Sequence, residues 1–416
     1  MTEQRENVLG RVYAAIEHYR DDLVRITQEL VRIPSVNPPG DYEAMAQRME
    51  ALYRAEGLEP VVAGAPRAKV DALGLSYPRP NVIALYEGSA HSPVFCLDAH
   101  MDVVGVGDES AWSYPPFGGE VHDGHIYGRG AEDTKCHLAC QLVVVRALKE
   151  AGVELKGDLL CTATVDDEIG QWPGIGYLMD EGFETHGFRK PDYHIAGEPT
   201  GLENVGCVAR GRLWYEIVLK GKNAHGGNPK EGINAIEKAI ALANAVQQNF
   251  AFKTDPLMET DTLNIGMIRG GEAINVVPDH CLITFDIRPT SPIQVVQAFM
   301  HKTIAELERN DPDFHIESLR LLNDRRTGGV GPEHEFVKRI QRITHEVTGK
   351  TVVPSGSMGG YSSLGNAYWT WRGGVNSVMY GGGDFLRAHR VDESIGIDEM
   401  VETAKVFAAI ILDICA

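Results

Sequence analysis

Three apolar runs in this chain stop on the same kinds of side chain. "PVFCLDAHMD" (93–102) closes with His100 and Asp102, "DLLCTATVDDE" (158–168) with Asp166, Asp167 and Glu168, and "YHIAGEP" (193–199) with Glu198. Short apolar runs bounded by loop residues read as buried strands. Between the first two lies a stretch of helical period, about Cys136 to Ala151. Strands alternating with helices form a largely parallel sheet with helices on both faces. In such a sheet the carboxyl ends of the strands share one edge, where sites form. The acids and the histidine therefore converge, and like charges at close range repel and are costly to desolvate. Something must neutralise or share that charge, and the three consecutive acids need not have one task.

The rest of the chain fits the same plan. Helical periodicity runs from about Glu6 to Arg32, breaks at the proline-rich "IPSVNPPG", and resumes from about Tyr42 to Glu56. From about Cys207 the texture changes. "RLWYEIVLKG", "TLNIGMIRGG" and "HCLITFDIRP" alternate around helices near Asn234–Asn249 and Ile293–Asn310, the pattern of a smaller α+β domain. After about Arg320 the chain returns to the first domain and ends in a helix, Ile397–Ile414. The expected fold is α/β: a mixed, mostly parallel sheet domain flanked by helices, formed by 1–206 and 323–416, with an inserted α+β domain over 207–322.

Composition narrows the class. Of 416 residues, 43% are hydrophobic and 23% charged, enough for a sizeable core in a soluble protein. A net charge of −19 argues against nucleic acid and anionic membranes as partners and suits a bound cation. Seven cysteines with no CxxC pair read as reduced core thiols. The N-terminal stretch is charged, with no signal-like apolar segment, and no run of 18 apolar residues occurs. These features predict a cytoplasmic protein.

Taken together, the motifs resemble the metal-dependent amidohydrolases and peptidases that include acetylornithine deacetylase, succinyl-diaminopimelate desuccinylase, aminoacylase and glutamate carboxypeptidase. The resemblance rests on "LDAHMDVV" (97–104), "WSYPPFGGEVHDGHIYGRGAEDTK" (112–135), "DDEIG" (166–170), "GEPT" (197–200) and "AHRVDE" (388–393). It continues in the insert through "GKNAHGGNPKEGINAI" (221–236) and "GGEAINVVPDHCLITFDIRP" (270–289), which are similar to the family's lid and dimerisation domain. The resemblance implies one metal held by His100, Asp133 and Glu198, and another by Asp133, Glu168 and His389, with Asp133 bridging. One or two divalent ions per subunit are expected, of zinc, manganese or cobalt type. Asp102 would orient His100, and the Asp133–Thr134 peptide would be cis. Asp167 would be the general base. His225 would act across a homodimer or larger assembly. Asn275, Arg288 and Tyr361 would contact a small-molecule carboxylate substrate.

Some positions depart from the family pattern. Asp167 stands where the family normally has Glu, so its carboxylate reaches about 1.3–1.5 Å less far in a step that works at roughly 2.6–3.2 Å. A shifted register, with Asp166 as base and Asp167 as ligand, is the alternative at this point. Cys136 replaces a common Gly, and "GSMGGYSSLG" (356–365) with Tyr368, Trp369 and Trp371 brings aromatics near the substrate loop. The expected activity is hydrolysis of an amide C–N bond in an N-acyl amino acid or short peptide. An atypical C–N hydrolase acting on an amino-substituted aromatic acid and a non-catalytic metal-binding protein are the alternatives.

Overall fold

The computed structural model describes residues 3–170, 172–356 and 370–416. Chain contacts divide it into two compact units. The first holds Met1–Cys207, Gly329–Ser355 and the C-terminal segment to Ala416; the second holds Val208–Gly328.

The first unit is built on an eight-stranded mixed sheet in the order Val61–Gly64, Pro80–Tyr86, Asp158–Thr164, Val94–His100, Tyr193–Ala196, Asn376–Met379, Asn204–Gly206 and Val353–Ser355. The four strands from Asp158–Thr164 to Asn376–Met379 run parallel, so their carboxyl ends lie along one edge. Pro80–Tyr86 pairs antiparallel with both neighbours. Val94–His100 and Asp158–Thr164 are buried at every residue, because both faces of the sheet are covered. One cover is the helix Cys136–Glu150, apolar on nearly all sides and packed against Ile397–Cys415 and the N-terminal helices. Another apolar cluster joins Ile83, Cys96 and Leu160 to Ile175, Leu178 and Phe183. The helix expected over Glu6–Arg32 is two, Glu3–His18 and Arg20–Val31. The break at Tyr19 (ψ 15°) is followed by Asp21 and Asp22, acids that favour a new helix N-terminus.

The second unit is a four-stranded antiparallel sheet in the order Thr262–Gly270, His280–Arg288, Arg212–Lys220 and His315–Arg325. Leu213, Tyr215, Ile217 and Leu219 alternate into its core, where they meet the helices Ala235–Asn249 and Ile293–Asn310. Asn234 caps the first helix by accepting from the amides of Ile236 and Glu237. The boundary read at 322 falls within the strand His315–Arg325, whose polar end carries no strong apolar alternation. All seven cysteines are buried and unbridged. Among the described residues no helix is long and apolar enough to cross a membrane.

The strand that carries the acids ends on a buried ion pair. Asp158–Thr164 stops before Asp166, which adopts φ +62°, a left-handed conformation that ends strand alternation. The Asp166 carboxylate accepts from Arg79 Nε at 2.8 Å, the Tyr42 hydroxyl at 2.9 Å and Asn37 Nδ2 at 3.1 Å. Arg79 is itself enclosed, and its Nη1 donates to the carbonyls of Gly40 and Tyr77. Gly40 is required here: at φ +77°, a Cβ would lie 2.9 Å from Arg79 Nη2. Burial and the neighbouring Asp102 push the Asp166 carboxyl up to about 6, against the pull of Arg79 and Tyr42. Removing one partner of a buried pair leaves an uncompensated charge. Arg79→Met is therefore expected to lower stability by about 3–5 kcal/mol. Adding Asp166→Asn, a residue that tolerates the left-handed backbone, should return part of the loss. Chemical denaturation of the metal-free chain reads both variants, and a double variant no more stable than the single one contradicts the pairing.

Candidate metal centre and active site

The parallel strands deliver their terminal side chains to one place. His100 is the last residue of Val94–His100, and Glu198 follows Tyr193–Ala196. His389 lies in the segment after Asn376–Met379. Asp133 stands before the helix Cys136–Glu150, and the Asp133–Thr134 peptide is cis, as expected. One oxygen of Asp133 lies 3.0 Å from His100 Nε2, and the other lies 3.2 Å from His389 Nε2. Glu168 Oε2 is 3.0 Å from His389 Nε2, and Glu198 Oε1 is 3.9 Å from His100 Nε2. Asp133 thus faces both imidazoles, one with each oxygen.

Among the described residues, two groups of three have ligand atoms within 4.8 Å of one another: His100, Asp167 and Glu198, and Asp133, Glu168 and His389. The expected five residues are all present. Asp167 joins them, in the company of His100 and Glu198. Asp166 faces away, toward Arg79, so the three consecutive acids divide into one structural carboxylate and two that face the donors. The left-handed turn at Asp166 is the reason. Residues following in a strand would point to opposite faces, whereas Asp167–Gly170 forms a turn closed by the Gly170 amide donating to the Asp167 carbonyl.

Asp102 meets His100 through both its main chain and its side chain. His100 Nδ1 is 2.9 Å from the main-chain carbonyl of Asp102 and 3.5 Å from its carboxylate. The carboxylate also accepts from the amides of Asp167 (3.3 Å) and Glu168 (3.2 Å) and from Asn37 Nδ2 (3.0 Å). It thus anchors the turn that presents the acids beside the imidazole. Asn37 Nδ2 bridges Asp102 and Asp166, and the Val104 amide donates to Glu168.

The donor chemistry fits divalent cations. A neutral imidazole has a single N–H. With Nδ1 donating to the Asp102 carbonyl, Nε2 of His100 meets Asp133 lone pair to lone pair unless a second proton or a cation lies between them. Burial opposes a charged His100, but Asp102 and Asp133 override it and hold the ring well above its ordinary value. Hydrogen bonds to Asp133 and Glu168 lift His389 to about 11. Burial, then Asp133, raises Glu168 to about 7. Burial, then Asp167 and Asp133, raises Glu198. His100, His389, Glu168 and Glu198 are thus biased toward cancelling negative charge, while against burial the two imidazoles hold Asp133 well below the ordinary carboxylate range. Neutralising such a nitrogen and oxygen donor set is the task a cation performs.

In the second unit, His225 and Asn275 come together at an exposed corner. His225 bridges to Val276, and the Gly226 amide donates to the Asn275 carbonyl at 2.7 Å. The Gly227 amide donates to His225 Nδ1, which leaves the ring's N–H on Nε2 in the neutral form. The Arg288 guanidinium is forked onto Asp286 at 2.6 and 2.9 Å, the ion pair that a lone arginine ordinarily makes. Tyr361, Tyr368 and Trp369 lie outside the described residues. Trp371 donates from Nε1 to the Ser377 carbonyl at 2.7 Å, a packing contact. Sequence reasoning missed Asn37, Tyr42 and Arg79. "NPPG" marked a loop, but nothing in "YPRPN" signals a buried arginine.

Comparison with known proteins agrees with this geometry. The model of peptidase family M20/M25/M40 matches residues 96–413. A Bacillus subtilis protein named N-formyl-4-amino-5-aminomethyl-2-methylpyrimidine deformylase is 26% identical over 434 residues, covering 96% of each chain. A Methanocaldococcus jannaschii protein, named as an uncharacterised metallohydrolase, is 27% identical over 417 residues, covering 94% of this chain and 99% of its own. The structure of a Staphylococcus aureus tripeptidase superposes with a TM-score of 0.72 at 22% identity, over 95% of this chain and 98% of the other. The family match spans the strand ends, the insert and the His389 segment together, and this chain belongs to peptidase family M20/M25/M40, metallohydrolases that act on amide C–N bonds.

Proposed function

We propose that this chain hydrolyses the amide bond of a small carboxylate-bearing substrate, an N-acyl amino acid or short peptide. The observation that carries this reading is the pair of donor groups at the strand ends, with Asp133 facing both imidazoles. His100, Asp133 and Glu198 would hold one ion, and Asp133, Glu168 and His389 the other, with zinc, manganese or cobalt as candidates. When bound, such ions supply Lewis acidity that activates a water and polarises the scissile carbonyl. The Asp167 carboxylate takes the proton of the attacking water and returns it to the leaving amine. Its short side chain is offset by the turn at Asp166, which places it within 4.8 Å of His100 and Glu198 ligand atoms.

In this reading the inserted unit is a lid that also makes a homodimer. The exposed His225 supplies its Nε2–H to the carbonyl oxygen in the partner's site. Asn275, Tyr361 and Arg288 bind the substrate carboxylate, with Arg288 exchanging Asp286 for that group. The acidic chain and its buried thiols suit a cytoplasmic location.

The test begins with a chelator-stripped chain reloaded with each of the three metals. It is assayed on N-acyl amino acids, di- and tripeptides, and amino-substituted aromatic acids. Amide hydrolysis is expected, and turnover of the aromatic amines alone overturns the amide reading. Asp167→Asn is expected to lower turnover by about 10²–10⁴-fold, the range of acid–base catalysis, with metal content unchanged. Loss of an ion from that variant would make Asp167 a ligand instead of the base.

A further inference from the structure

The loops that carry Asp133 and His389 hold one another through a pair of buried acids. Glu393 follows His389 in the same segment. Its Oε1 accepts from three backbone amides of the other loop: Gly130 at 2.9 Å, Glu132 at 3.2 Å and Asp133 at 3.2 Å. Its Oε2 receives Arg129 Nη1 at 2.5 Å. The contact also runs in the opposite direction. Glu132 Oε1 accepts from the Asp384 amide and lies 3.7 Å from Arg387 Nε. Both acids are essentially without solvent exposure. Gly383, at φ +98°, admits this approach, since a Cβ there would lie 2.7 Å from Glu132 Oε1.

Amides that converge on one carboxylate form an anion-binding nest, and hydrogen bonds to an ionised acceptor are roughly twice as strong as neutral ones. The Asp133 amide belongs to this nest, so Glu393 fixes the backbone of the residue that faces both imidazoles. The main chain of Glu393 is held as well. Its carbonyl accepts from Gly128, and Ser394–Gly396 pairs antiparallel with His125–Tyr127. These contacts hold the backbone of the Asp133 loop against that of the His389 segment.

We infer that Glu393 and Glu132 form a reciprocal clasp that positions Asp133 against His389, and that Glu393 is a positioning residue for the metal centre. The inference rests on the metal-centre reading given under Proposed function. Glu393→Gln keeps the shape of the side chain, removes its charge, and turns an amide N–H toward Arg129.

Metal-free full-length chain is titrated with Co²⁺, following heat and visible absorption. Glu393→Gln is expected to weaken Co²⁺ binding by about 10–100-fold, as for other groups that orient ligands, and to alter the absorption bands of the loaded chain. Glu393→Asp, which keeps the charge, should recover part of the affinity. A folded Glu393→Gln variant with wild-type affinity and bands overturns the clasp, even if the metal-free chain melts earlier. Should that variant fail to fold, Glu132→Ala removes the acceptor of the reverse contact, the oxygen that takes the Asp384 amide, and is expected to shift binding in the same direction. Unchanged binding in a folded Glu132→Ala variant likewise overturns the inference. If the unmodified chain takes up no Co²⁺, the metal-centre reading itself fails, an outcome distinct from failure of the clasp.

Discussion

Negative charge converging at the ends of parallel strands is the constraint around which the first unit is organised. Asp133, Asp167, Glu168 and Glu198 meet His100 and His389 at one sheet edge, most of them largely withdrawn from water. Carboxylates in such a place are costly unless opposite charge or hydrogen-bond donors meet them. The chain supplies donors in layers. Arg79 takes Asp166, and the amides of the turn take Asp102. Arg129 and three amides take Glu393. The charge that remains unmatched faces the two imidazoles.

Local backbone geometry converts this convergence into distinct chemical roles. A continuous strand through Asp166, Asp167 and Glu168 would send neighbours to opposite faces. The left-handed Asp166 ends that alternation, commits its own carboxylate to Arg79, and starts a turn from which both following acids face the donors. In the loop before Cys136–Glu150, Asp133 likewise turns one oxygen to each histidine. The parallel topology brings the residues near, and the strand ends and turns set which atom faces which.

Much of this was legible in the sequence because each strand end carries its chemistry in a short run. "LDAHMD", "VDDE" and "AGEP" gave the sheet edge, and the spaced motifs gave Asp133 and His389. The insert was legible from its period-two strands. What escaped depends on contacts remote in sequence. Arg79 meets Asp166, and Glu393 meets Gly130, and no local pattern marks such partners. The position of Asp102 two residues after His100 suggested an imidazole partner, but its further task, accepting the amides of the turn that carries Asp167 and Glu168, had no mark in the sequence. The helix break at Tyr19 was invisible because apolar periodicity continues across it.

The account depends most on Asp133 standing between two cations. Anomalous diffraction from crystals of the Co²⁺-loaded chain, recorded on both sides of the cobalt absorption edge, locates those ions without reference to activity. Two peaks are expected, one contacting His100 and Glu198 and the other Glu168 and His389, each about 2.0–2.2 Å from a different oxygen of Asp133. Peaks away from these side chains, or two ions with no Asp133 oxygen in reach of both, would contradict the account.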